Sequence, residues 1–212
     1  MKFFLRTILL FGFMANHAIA ADKVEPGQNL LPCEKKGCFV VADRMPWKEN
    51  KQRQGLRVKS GTFVVTIPSN VMWIGLGSTV TVFRYDSAPH IVIGMETKET
   101  FQLTSKEINL SQALEHIFTN TPKDQKISDR YNIELWNRLM LMKMGFLDKS
   151  GKAFVFEKAP LTVYFIPDSG EQFNNVAWAV DSGNPNSALR IESNMDEKIF
   201  EDILYSIKLK EK

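Results

Sequence analysis

Cysteine and histidine are both scarce in this 212-residue sequence, which has two of the first and three of the second. That scarcity removes most of the donors that metal sites and nucleophilic catalysis use. No His-Glu-x-x-His run and no acidic calcium loop occurs, and Asp181-Ser182-Gly183-Asn184 lacks the further carboxylates that calcium needs. The nucleophile elbow Gly-x-Ser-x-Gly is absent, since Gly75-Leu76-Gly77-Ser78 has the wrong order. No phosphate-cradling glycine loop appears. No apolar run reaches the roughly 20 residues that a membrane-spanning helix requires. An excess of charge of one sign is missing too: 27 basic residues face 24 acidic ones. A surface so nearly balanced lacks the basic footprint of a nucleic-acid binder. The sequence thus gives no reason to assign a catalytic residue, a cofactor or a metal.

What is present begins at the N-terminus. Lys2 and Arg6 precede an apolar core from Thr7 to Met14, and Ala18-Ile19-Ala20 sets small residues before Ala21. This pattern reads as a secretory signal peptide over residues 1–20, cut between Ala20 and Ala21. It predicts export to the periplasm. Without those residues, 25 basic side chains face 24 acidic ones, so the working protein is close to neutral. In an oxidising compartment Cys33 and Cys38, with four residues between them, read as a structural disulfide. A redox pair usually has two intervening residues, and zinc would need two further ligands.

Residues 21–60 read as an irregular N-terminal segment punctuated by Pro26, Pro32 and Pro46, with a short strand over Cys38-Phe39-Val40-Val41. Lys48, Lys51, Arg53, Arg57 and Lys59 form a basic stretch, either a solvated linker or a contact surface for an acidic partner or anionic lipid headgroups. An α+β domain is expected over 61–212. Strands are predicted at Phe63–Ile67, Thr79–Tyr85 and His90–Met95. A helix follows from Asn109, where Asn109 and Gln112 suit a capping box. A second helix is predicted over about 129–144. Strands at 153–156, 161–166, 175–180 and 188–191 come next, joined by Pro167-Asp168-Ser169-Gly170 and Asp181-Ser182-Gly183-Asn184-Pro185. The turns predict a mostly antiparallel sheet. A final helix starts from Asn194 as cap, carries Ile199, Phe200, Ile203, Leu204 and Ile207 on one face, and has Lys208 and Lys210 at its end.

Ile67-Pro68 followed by Trp73, with the closing Ile203-Leu204-Tyr205-Ser206-Ile207, resembles the Mog1/PsbP-like α/β sandwich over residues 61–209. Trp73 lies further past the proline than that pattern usually has it. The resemblance implies a sheet covered by helices and a non-enzymatic role as adaptor, chaperone or accessory factor. It supplies no shared catalytic set. What it implies is binding to another protein.

Asp86, Ser87 and His90 invite a hydrolase reading, but proximity in sequence does not assemble a triad. His116 falls beside the apolar stripe of its helix. Met140, Met142 and Met144 suit core filling, or a binding groove. Trp73, near Gly75 and Gly77, is the tryptophan best placed for exposure and is taken with Lys51, Arg53 and Arg57 as the candidate partner-binding set. The reading is an exported envelope accessory or adaptor protein. The alternative is an immunity protein that neutralises a toxin acting in the periplasm. A hydrolase using His90 is the remaining class.

Overall fold

The computed structural model describes residues 35–49, 54–86, 89–101, 103, 108–124, 130–170 and 173–210. Two strands occur where an irregular segment was expected. A 3-10 turn at Lys36–Phe39, in place of the expected strand at 38–41, leads into β1 (Asp43–Pro46) and β2 (Leu56–Ser60). Then come β3 (Phe63–Ile67), β4 (Trp73–Leu76), β5 (Val80–Arg84) and β6 (His90–Thr97). Helices α1 (Leu110–Thr119) and α2 (Arg130–Leu147) follow. The chain continues through β7 (Phe154–Lys158), β8 (Leu161–Ile166), β9 (Asn175–Asp181) and β10 (Asn184–Ser193), then α3 (Glu197–Tyr205) and β11 (Lys208–Leu209).

Eight strands form one sheet in the order β1-β7-β8-β9-β10-β6-β5-β4. Its pairs are antiparallel except β1 with β7, which is parallel. A smaller antiparallel sheet has the order β11-β3-β2. The fold is α+β, as the sequence predicts.

Side chains on a strand alternate between faces, and here both faces are buried. In β9, Val176, Trp178 and Val180 point into a core formed with α1 and α2. Ala177 and Ala179 point the other way, into a core with α3 and β3. β6, β8 and β10 split in the same manner, Val92, Tyr164, Ile166 and Ala188 to the helices and Ile91, Ile93, Val163, Phe165, Leu189 and Ile191 to the opposite side. The large sheet is therefore the middle layer of three. This explains why its central strands read as nearly unbroken apolar runs.

The helix ends follow from their caps. Asn109 Oδ1 accepts from Gln112 N–H and Gln112 Oε1 accepts from Asn109 N–H, at 2.8 and 3.0 Å, so the capping box opens α1. α3 departs from expectation at both ends. Its cap is Asp196, whose carboxylate accepts from Lys198 N–H at 2.9 Å. Asn194 is used elsewhere: its Oδ1 accepts from His90 N–H at 2.7 Å and so holds the start of β6. α3 ends at Tyr205, and the buried hydroxyl of the next residue, Ser206, joins it to the small sheet by accepting from Thr66 N–H at 2.8 Å. Lys208 therefore sits in β11 rather than at a helix terminus.

Cys38 is wholly buried and carries no free thiol. Cys33 lies outside the described residues, as do Ala20 and Ala21. Among the described residues, no helix is long and apolar enough to cross a membrane.

Candidate functional site: an uncharged sheet edge

β4 is an end strand of the large sheet and pairs only with β5 among the described residues. Its register sets Trp73 opposite Arg84, Ile74 opposite Phe83, Gly75 opposite Val82 and Leu76 opposite Thr81. Gly77 N–H donates to Val80 C=O at 2.8 Å across the tight turn that joins the strands. Antiparallel pairs alternate between hydrogen-bonded and non-bonded. Counting back by two from Gly77, the groups of Gly75 and Trp73 face β5. Those of Ile74 and Leu76 face away, toward the open edge.

The side chains at this edge are apolar and open to solvent. Leu76 is 83% exposed, Met72 72%, Trp73 57% and Ile74 49%. Cross-strand partners share a face, so Ile74 lies on the side of Phe83, toward the small sheet, and Trp73 on the side of Val82, toward the helices. The Trp73 ring lies over Gly75: a Cβ built at Gly75 would fall 2.2 Å from the ring. Glycine at that position is what lets the indole lie flat along the strand. Large exposed apolar side chains on both faces of one end strand make this edge a candidate interaction surface.

Of the candidate set, Trp73 is on this edge. Arg57 is exposed in β2, on the small sheet. Lys51 and Arg53 lie outside the described residues. The sequence reading found Trp73 but missed its neighbours Met72, Ile74 and Leu76. A signal was available. From Ser60 to Phe83 no Asp, Glu, Lys, Arg or His occurs, in a chain that is 24% charged.

The residues weighed for catalysis have other surroundings. The His90 ring stands edge-on to Phe173 at 5.1 Å. Asp86 lines a cleft of about 550 Å³ with Tyr85, Pro68 and Asn194. Ser87 lies outside the described residues. His116 packs edge-on to Trp136 at 6.2 Å, and its Nδ1 lies 2.6 Å from Asn120 Nδ2. Of the methionines on α2, Met140 is buried and Met142 packs on the helix-side core.

One polar cluster on the helix side of the sheet was not read from the sequence. Arg190 Nη1 donates to Glu96 Oε1 at 2.6 Å, Nη2 donates to Glu192, and the guanidinium lies 5.7 Å from the Trp178 ring. Trp178 Nε1 donates to the other Glu96 oxygen at 3.1 Å. Burial lowers the Arg190 pKa, but the two carboxylates outweigh it and hold the net shift upward. Glu96, Trp178 and Arg190 stand on the neighbouring strands β6, β9 and β10. The cluster thus ties the middle of the sheet together.

No family model matches this chain, and no curated protein sequence matches it. A solved structure from Bacteroides thetaiotaomicron is similar over 75% of this chain, with 10% identity and a TM-score of 0.35. The chain spans half the length of that protein.

Proposed function

We propose that this chain is a non-enzymatic protein-binding factor that works outside the cytoplasm, as an accessory or adaptor of the cell envelope, with β4 as its docking strand. One observation carries the reading: a sheet edge with outward backbone groups at Ile74 and Leu76 is flanked by exposed apolar side chains. An added strand would bond to those groups and bury those side chains, which is the physics of strand addition. The N-terminal Lys2, Arg6 and the apolar stretch after them support the extracytoplasmic placement.

The test is site-specific photocrosslinking in intact cells. A crosslinking residue in place of Leu76 is expected to give a discrete protein adduct, while one in place of Arg44, at the opposite edge, gives none. Ile74→Lys should abolish the adduct from position 76. Adducts of equal yield from both edges, or none from either, would sink the reading. A captured toxic enzyme that the purified protein inhibits would move the role from adaptor to immunity protein.

A further inference from the structure

We infer that the strand received by β4 is β4 of a second copy, so that two chains join edge to edge into one continuous sheet. This rests on the reading of β4 as a docking strand and names its occupant.

The first argument is hydrogen-bond pattern. The outward groups belong to Ile74 and Leu76, one on each side of Gly75. A two-fold axis through Gly75 brings Ile74 opposite Leu76 of the second copy, and Leu76 opposite its Ile74. Each of these pairs exchanges both N–H···O=C bonds, as antiparallel bonded pairs do. The edge is therefore self-complementary, which a two-fold interface demands.

The second argument is side-chain chemistry. Ile74 and Leu76 lie on one face of their strand, so the two-fold pairing sets apolar against apolar twice. Gly75 meets Gly75 at the axis, where each chain's Trp73 ring lies over its own Gly75 and so sets a second apolar group beside the pairing. The third argument is charge. No charged residue occurs from Ser60 to Phe83. Two identical edges usually repel through the like charges that natural sheets carry there. These do not.

The area agrees with a modest affinity. A large side chain exposes roughly 150–250 Å² when open. The fractions at Met72, Trp73, Ile74 and Leu76 then leave at most on the order of 400–650 Å² per chain. Doubled, this is at most about 800–1,300 Å², around the lower limit of specific interfaces. A reversible, concentration-dependent dimer is expected rather than a permanent one.

Sedimentation of the purified full-length protein, from micromolar to near-millimolar concentration, reads this directly. A monomer–dimer equilibrium is expected, and Ile74→Lys should raise its dissociation constant at least about tenfold by placing a charge in the pairing. A second measurement fixes the register. Under mild oxidation, a mixture of Ile74→Cys and Leu76→Cys chains should crosslink to each other in higher yield than either does alone. A protein that stays monomeric throughout overturns the inference, as does a dimer untouched by Ile74→Lys. If such a monomer still loses its cellular crosslink from position 76 on Ile74→Lys, the docking strand stands and its occupant is another protein. If neither measurement responds to that substitution, both fall.

Discussion

The large sheet has two ends, and they are built on opposite principles. β1 carries Asp43 and Arg44 and finishes on Pro46. Arg44 forks onto Glu157 of β7, with Nη1 at 3.1 and 2.9 Å from the two carboxylate oxygens. β1 is also tied to the helix layer, because Ala42 N–H, just before it, donates to Phe118 C=O near the end of α1. Charge, a proline and a tether are the usual means of keeping an edge from pairing. β4 has none of these between Trp73 and Leu76, where it offers two outward backbone positions and three large apolar side chains. One sheet thus has a closed end and an open end. The means of protection were within reach of this chain, and their absence at β4 is what singles that edge out.

The largest effect separates edge from centre. Trp178 is 1% exposed and packs with Phe101, Phe118 and Phe146. Trp178→Ala should destabilise by about 3–5 kcal/mol, as deletion of a buried aromatic does, and it also strands Glu96 Oε2. Trp73→Ala should cost the isolated chain less than about 1 kcal/mol. Chemical denaturation of both variants at a concentration where the chain is monomeric checks this. Comparable losses would mean that Trp73 is part of the fold and that β4 is not an open edge.

Next comes the buttress behind the closed end. The carbonyls at the end of α1 serve two roles: Phe118 C=O receives Ala42, and Asn120 C=O receives Lys143 Nζ at 2.5 Å. Lys143 is fully buried on α2, and that burial lowers its pKa from 10.5 to about 8, with Asp124 acting in the opposite direction. Its folded value lies below its unfolded one, so the unfolded chain binds more protons between them. Stability must then rise as pH climbs from about 8 toward 10.5. The rise attributable to this side chain is about 1–3 kcal/mol. Lys143→Met should remove it, which urea unfolding of both proteins across that pH range measures. Equal slopes would mean that water reaches the ammonium and that the buttress is looser than its contacts imply.

Much of the fold could be read from the sequence, but the two ends of the sheet could not, and the unread parts share a cause. The α1 cap, the α2 span and the hairpins β8–β9 and β9–β10 depend on neighbours in sequence, and their signals are local. β4 does not. Four residues with Gly75 inside, between Pro68 and Gly77, read as loop, and only pairing with β5 makes them a strand. The same holds at the closed end. The parallel pairing of β1 with β7 joins residues more than a hundred positions apart, and nothing in Asp43-Arg44-Met45-Pro46 announces it. The sequence points to Asn194 as the α3 cap, and the structure uses Asp196, a residue type that caps as well. Tertiary need decided between them, because the amide oxygen of Asn194 was required by His90 N–H. The exposure of Trp73 was legible because it stood beside glycines. Its edge was not, since an edge is defined by what fails to pair with it.

The smallest expected effect on stability is the sharpest test of the contrast. The Arg44–Glu157 pair is solvent-exposed, with side-chain exposures of 72% and 50%. Pairs of that kind contribute between nothing and about 1 kcal/mol. Arg44→Leu should therefore shift the denaturation midpoint little. Its consequence should appear in association. Glu157 is left without its partner, and β1 exchanges its positive charge for an apolar side chain while keeping Asp43. If charge is what closes that end, Arg44→Leu opens it, and light scattering at high concentration should detect species larger than a dimer, because each chain then has two edges to offer. Combining Arg44→Leu with Ile74→Lys should leave one open edge and bring the assembly back to a dimer, now through β1. A variant that remains as the parent does would mean that the Arg44 charge is not what closes β1 and that Asp43, Pro46 and the Ala42 tether suffice. Adding Asp43→Asn to Arg44→Leu then separates the remaining charge from the backbone geometry of that end.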